Sequence, residues 1–234
     1  MKKKSIFNWS GGKDSALALY KVLQQDDYKI GCLLTSVNKE YQRISMHGIR
    51  KELLIQQAQS ISLPLEIIEI PESTNMDTYD RLMLQKLSEL KKSDYEYSIF
   101  GDIFLDDLRA YREKKLAEAK LKAVFPLWKI DTKEVIQEFI DLGFKTIVVA
   151  ADANLLGKGF VGRIIDNQFL KDLPNNVDPC GENGEFHTFV FDGPIFHKPI
   201  DFTIGEKVLK EYKNDENSNW SSKFWYCDLI EKTS

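Results

Sequence analysis

The chain has 234 residues, 43% of them hydrophobic and 29% charged, a composition that fits one large globular domain or two modest ones. Its formal net charge of -4 argues against an extensive sequence-independent nucleic-acid surface, which needs a basic excess. Cys32, Cys180 and Cys227 are odd in number and lack zinc-ligand spacing, pointing to a reducing, cytoplasmic setting; no stretch has the length of a membrane span, and no apolar signal core follows the N-terminal lysines.

A first strand is predicted over residues 6–9. It runs into Ser10-Gly11-Gly12-Lys13-Asp14-Ser15, and a helix follows over 16–25. Such a junction aims free backbone N–H groups and the positive end of a helix dipole at one spot, which phosphate oxygens usually fill. Gly11 and Gly12 let the backbone approach an anion closely. Ser10 and Ser15 add hydroxyl donors, and Lys13 adds a flexible point charge. The spacing is not the Walker pattern of a Gly, four residues, then Gly-Lys-Ser/Thr. Asp14 would repel phosphate unless a cation lies between them, and a Mg²⁺ ion bridging Asp14 to a pyrophosphate removes that conflict. A plain strand–helix turn with a serine cap is the competing reading.

Further along, short runs rich in β-branched or aromatic residues at 30–37, 65–70 and 97–100 alternate with helical patterns at 49–60, 79–91 and 110–120. This alternation predicts an α/β fold, a doubly wound parallel sheet with helices on both faces. Ligands of such sheets bind beyond the carboxyl ends of the strands, where the opening loop, Val37-Asn38, Gly101-Asp102 and Asp152 all fall. A helix over 133–142 precedes a strand over 146–151, and periodicity leaves open whether that strand joins the same sheet. The texture changes near Pro126. Loops rich in Gly, Pro and Asn occupy 157–162, 174–176 and 178–185, and an alternating strand at 186–191 ends in Asp192-Gly193-Pro194. Residues 202–212 and 223–230 flank a polar stretch at 214–219 that suits a hairpin. The expected division is therefore 1–127 for the α/β unit and 128–234 for a smaller α+β unit.

Within the second unit, Gly181-Glu182-Asn183-Gly184-Glu185 puts two carboxylates on a glycine-rich loop. Two acids held together favour a bound cation, either Mg²⁺ or an ammonium-like group, whereas a solvated turn is the plainer alternative. Asp102 is a candidate for a second metal or substrate contact. Arg163 suits bidentate binding of phosphate or carboxylate, in competition with a surface salt bridge. His187 reads as a strand residue beside the core and His197 as surface. His47 is either a helix-entry residue or a neighbour of a nucleotide. Cys180 reads as structural, lacking an evident activating base.

The loop Ser10-Gly11-Gly12-Lys13-Asp14-Ser15 resembles the PP-loop of the N-type ATP pyrophosphatases, in the adenine nucleotide alpha hydrolase-like superfamily. Asp178-Pro179-Cys180-Gly181-Glu182-Asn183-Gly184-Glu185-Phe186-His187-Thr188 is similar to the D-x-x-G-E-x-G-E-aromatic-x-T signature of the diphthine–ammonia ligase family. Gly101-Asp102-Ile103, Pro126-Leu127-Trp128 and Gly162-Arg163 stand where that family has them. His187 and Phe160 depart from it, since relatives often carry an acid and a tryptophan there. The resemblance covers about residues 5 to 190 and leaves the tail uninformative. It implies a Rossmann-like sheet and an ATP-dependent, AMP-forming amide ligase. ATP would lie with its triphosphate on Ser10, Gly11, Gly12, Lys13, Asp14 and Ser15, its adenine near Leu34-Thr35-Ser36, and further contacts at Gly101, Asp102 and Arg163. Asp14, Lys13, Glu182 and Glu185 would be catalytic, with Mg²⁺ at Asp14 and Asp102. A carboxylate would be adenylated with release of pyrophosphate and then amidated by ammonia. By resemblance the conversion is diphthine to diphthamide on a translation elongation factor. Other readings are an adenylating enzyme of the same superfamily acting on a small carboxylate or tRNA, and an ATP-binding sensor without turnover. The tRNA-thiolating branch commonly needs reactive cysteines or a Cys-x-x-Cys pair, absent here, and the sensor branch's loop lacks the equivalent of Asp14. Homo-oligomerisation stays open.

Overall fold

The computed structural model describes residues 2–44, 47–213 and 221–232. In chain order the elements are β1 (Lys3–Asn8), α1 (Lys13–Leu23), β2 (Tyr28–Asn38), α2 (Lys51–Ile61), β3 (Leu65–Ile70) and α3 (Met76–Lys92). There follow β4 (Tyr97–Ile99), α4 (Asp106–Glu118), β5 (Lys122–Val124), α5 (Thr132–Asp141) and β6 (Lys145–Asp152). The chain ends with α6 (Asn167–Asp172), β7 (Phe186–Asp192), β8 (Phe202–Lys213) and β9 (Ser221–Glu231). Each element read from the sequence is present, with ends shifted by a few residues. Two were not anticipated. β5 is a three-residue strand, too short to show a period. α6 is six residues long and announced only by its cap, Asp166, which accepts from Phe169 N at 2.7 Å.

Strands β3-β2-β1-β4-β5 form one parallel sheet in that order. The chain builds outward from β1 on one side, then returns to build on the other. That reversal beside β1 is the topological switch point, where open α/β sheets bind their ligands. Ile6 and Phe7 are neighbours in sequence and so face opposite sides of the sheet. Phe7 packs with Leu17 and Leu19 of α1 and Leu53 and Leu54 of α2. Ile6 joins Cys32, Leu34 and Ile68 against Leu87, Leu90 and Leu116 of α3 and α4. Burying each of these leucines contributes on the order of 1.5–3 kcal/mol.

β6 does not join that sheet. It lies in a second, antiparallel one with order β7-β6-β9-β8. β8 and β9 pair antiparallel, as a hairpin requires, while residues 214–219 lie outside the described residues. Phe139, Ile147, Phe189 and Val190 belong to the same buried cluster as Phe7, Trp9 and Leu17. The expected division at residue 127 thus falls between two sheets that share one core. Asp152 ends β6, where its carboxylate accepts from the backbone and side chain of Asn154 at 2.8 and 2.9 Å. It therefore does not converge with the ends of the parallel strands. Among the described residues no helix is long and apolar enough to cross a membrane.

Candidate functional site

A cleft of about 350 Å³ opens at the carboxyl ends of β1, β2 and β4. Its floor is the loop after β1. Gly11 takes a left-handed φ of +77°, and a Cβ there would lie 3.0 Å from Gln57 and Leu54. Helix α1 starts at Lys13, three residues earlier than the apolar pattern indicated, because Lys13, Asp14 and Ser15 carry no hydrophobic period. Its N-cap, Gly12, supplies no side-chain cap, so the loop offers the helix dipole to whatever lies above it. Ser15 Oγ donates to Gly12 O at 2.8 Å, and Ser10 Oγ lies 3.1 Å from it, tying the two ends of the loop together.

The loop is held from below by residues far away in sequence. Gln57, wholly buried on α2, donates to Gly11 O at 3.1 Å and Val190 O at 2.6 Å, and accepts from Trp9 Nε1 at 2.8 Å. β7 adds two bonds: Lys13 N donates to Thr188 Oγ1 at 3.0 Å, and Val190 N donates to Gly11 O at 2.9 Å. From the other side, a Cβ on Gly101 would come within 2.8 Å of the Asp14 backbone. The end of β4 therefore sits directly on the first turn of α1, and glycine is what lets it.

Five ionisable groups gather here: Lys13, Asp14, Asp102, Arg112 and Glu182. The Lys13 ammonium lies 2.7 Å from the Asp14 carboxylate. Burial works to lower the lysine pKa, but Asp14 outweighs it and the net shift is upward, so Lys13 stays protonated. Burial pushes the Asp14 carboxyl up, with Lys13 opposing. Asp102 pairs with Arg112 at 2.7 Å, yet burial still raises its pKa and the charge of Asp14 adds to the shift. Glu182, arriving from the loop before β7, accepts from Ile103 N at 2.8 Å. Burial raises its pKa to about 7, opposed by the Ile103 bond and reinforced by Asp14 and Asp102. Asp14 and Asp102 are each paired with a cation, Lys13 and Arg112, and the negative charge of both acids is felt at Glu182. Among the described residues no group of three or more His, Cys, Asp or Glu is placed to hold a metal ion. An ion there must draw most of its ligands from a bound substrate, as Mg²⁺ does with phosphates and one or two carboxylates. Asp14 and Asp102, both lining the cleft, are carboxylates of the kind such an ion takes.

Of the residues singled out from the sequence, Ser10, Asp14, Ser15, Gly101, Asp102 and Glu182 line the cleft, and Gly11, Gly12 and Lys13 complete the loop beneath it. Glu185 is not a lining residue. Its buried carboxylate accepts from Asp178 N at 3.0 Å and Asn183 N at 2.9 Å, closing the glycine-rich loop on itself. Arg163 does not line the cleft either: it pairs with Asp172 at 2.6 Å and lies over the Phe160 and Phe169 rings. Cys180 is buried and donates to Thr132 O at 3.2 Å, and burial raises its pKa, as an inert thiol requires. His47, read either as a helix-entry residue or as a neighbour of a nucleotide, lines the cleft. Its ring stands edge-on to His187 at 4.6 Å. Burial lowers both pKa values, His47 well below the usual value and His187 to about 4, so both rings are neutral.

Two residues were missed from the sequence, Gln57 and Arg112, and Thr188 was read only as the last position of the Asp178–Thr188 signature, without its role under the loop. Gln57 left a signal, being a polar residue on the α2 stripe formed by Leu53, Leu54, Ala58 and Ile61. A polar side chain on a buried stripe has to find partners. Arg112 left none, because its partner is set only by the approach of separate elements, and the same holds for the bond that Thr188 makes to Lys13 N.

The chain matches the diphthamide synthase N-terminal domain over residues 3–123 and the diphthamide synthase C-terminal domain over residues 131–233. It is similar to diphthine–ammonia ligase from Bos taurus, 30% identical over 137 residues, 56% of this chain and 50% of that one. The protein of that name from Homo sapiens is 28% identical over 138 residues, 57% of this chain and 50% of the relative. The one from Schizosaccharomyces pombe is 28% identical over 144 residues, 60% and 23% respectively. The chain therefore spans half or less of the length of these relatives. Among solved structures, the U34-tRNA thiolase NcsA from Methanococcus maripaludis is similar with a TM-score of 0.37 at 19% identity, covering 60% of this chain and 57% of that one. A likeness that slight carries no argument.

Proposed function

The chain belongs to the diphthamide synthase family, and on that premise we propose that it is an AMP-forming ligase that adenylates a carboxylate and amidates it with ammonia. The carboxylate, by kinship with the named relatives, is that of diphthine on a translation elongation factor, and the product is diphthamide. One observation carries the reading: Glu182, from a loop about 170 residues away, shares a cleft with Asp14 and the Ser10–Ser15 loop, and its carboxyl is poised at about 7.

ATP enters with its pyrophosphate half on the loop, where the uncapped start of α1, the hydroxyls of Ser10 and Ser15, and Lys13 receive it. The adenine lies against Leu34, Thr35 and Ser36, between Ile68 and Met83, all of them lining residues. A carboxylate oxygen of the substrate bonds to the α-phosphorus while the α–β bridging bond breaks toward pyrophosphate. A loop that grips the leaving half and leaves the α-phosphorus open is arranged for that cleavage. Asp14 and Asp102 would hold a Mg²⁺ ion, which would supply positive charge to stabilise the leaving pyrophosphate. Ammonia then attacks the acyl carbon and AMP leaves. Glu182 takes the proton that the nitrogen sheds, a task for which a pKa near the working pH is suited. The test is the product pair: AMP and pyrophosphate are expected from ATP in the presence of substrate and ammonia, and ADP with phosphate would overturn the mechanism.

A further inference from the structure

We propose that Asp228, near the end of the chain, is a positioning residue of the nucleotide cleft, holding through Arg43 and Arg50 the segment that puts Ile44 and His47 into the cleft wall. This rests on the nucleotide reading above.

The segment between β2 and α2 doubles back on itself. Asn38 faces Arg43, and Arg43 faces Arg50, in antiparallel bridges. Ile44 N donates to Ile49 O, Gly48 N to Ile44 O and Lys51 N to Gln42 O, each at 2.9 Å. The fold-back therefore sets two guanidinium groups opposite each other, and like charges so placed on paired strands are destabilising. Asp228 of β9 resolves that repulsion from the second sheet. Its carboxylate accepts from Arg43 Nη1 at 2.8 Å, and from Arg50 Nε at 3.1 Å and Nη2 at 2.6 Å. Arg43 Nη1 also donates to Gly48 O at 2.7 Å, so the clamp reaches the residue that follows His47.

A second contact fixes the same face. Gly48 takes a φ of +68°, and a Cβ on it would lie 3.1 Å from the Tyr226 ring. Tyr226 and Asp228 are two residues apart on β9 and so point the same way. The segment is thus seated on one face of β9 by a close glycine–tyrosine contact and a three-bond carboxylate clamp. Ile44 and His47, which this seating presents, line the cleft beside Trp9 and Ser10. Burial opposes the charge on Asp228, but the bonds from Arg50 and Arg43 prevail and hold its carboxyl at about 2. The clamp is consequently ionised at any working pH. The tail, from which no sequence motif was read, in this way shapes a wall of the cleft.

The test compares wild type, Asp228→Asn and Asp228→Glu by imidazole nitrogen-15 spectra and by ATP titration calorimetry. The chain has three histidines, and exposed His197 serves as an internal reference. Asp228→Asn is expected to move the His47 resonances, leave those of His197 in place, and weaken ATP binding on the order of tenfold by misplacing the wall. Asp228→Glu, which restores the charge, is expected to recover most of both. If Asp228→Asn does not fold, Arg50→Gln removes one arm of the clamp and is read in the same way. An unmoved His47 with unchanged ATP affinity, in a wild type that binds ATP, overturns this inference alone. A wild-type chain that fails to bind ATP overturns the nucleotide reading together with it.

Discussion

Glu182→Gln is expected to make the protein more stable and less active at once. The amide has nearly the shape of the carboxyl and can still accept from Ile103 N, so packing is retained and only the charge is lost. In the fold the carboxyl sits at about 7 rather than its ordinary 4.5. At about 1.36 kcal/mol per pH unit, the anion is then disfavoured by roughly 3 kcal/mol, or about 1.5–3 kcal/mol once its partial exposure to solvent is allowed for. Because the folded pKa is the higher one, the sign is fixed. Below about pH 4.5 the group is protonated in both states and the variant gains nothing. Between about 4.5 and 7 the unfolded chain releases a proton that the fold retains, so wild-type stability declines as pH rises. Above 7 the whole penalty is present. For a chain of this length, with 2–4 °C per kcal/mol, the variant is expected to melt roughly 3–12 °C higher at pH 8 and level with wild type near pH 4.5. Thermal melts of the ligand-free protein at both pH values are the assay, paired with amide formation, expected to fall on the order of 100-fold or more. Equal melting temperatures at pH 8, or the same gap at both pH values, would refute the account of Glu182 as a desolvated carboxyl.

Asp14→Asn removes a carboxylate proposed to hold Mg²⁺, and AMP formation is expected to fall on the order of 100-fold with the circular dichroism spectrum unchanged. Gln57→Leu leaves Trp9 Nε1 without an acceptor and takes one donor from each of two buried carbonyls. The expected loss is roughly 2–4 kcal/mol, read as a lower urea midpoint, together with weaker pyrophosphate binding in calorimetry. Arg163→Ala breaks a half-exposed pair outside the cleft, so stability is expected to change by under about 1 kcal/mol and ATP affinity by less than about twofold. A large loss of ATP affinity there would return Arg163 to the nucleotide site.

Much of the fold was legible because its signals are local. The alternation of short apolar runs with helical periods gave the parallel sheet and its helices, since side-chain period follows directly from backbone geometry. The Ser10–Ser15 loop was equally local: glycines, hydroxyls and a lysine between a strand and a helix carry their chemistry in six consecutive residues. The glutamate-rich loop was found by its spacing, but its two acids were not separable. In the structure Glu182 reaches the cleft while Glu185 turns inward to bind its own loop. An irregular loop has no period from which to say which side chain faces which way.

The sequence by itself thus determined the strand–loop–helix that forms the cleft floor and the order of elements around it, because each is settled by neighbours within a few residues. Only the tertiary structure decided that β6 starts a second sheet, that Gln57 and Thr188 brace the Ser10–Ser15 loop, and that Glu182 is held near neutrality. Those outcomes depend on burial and on partners tens to hundreds of residues apart, which meet only when the two sheets close over one core.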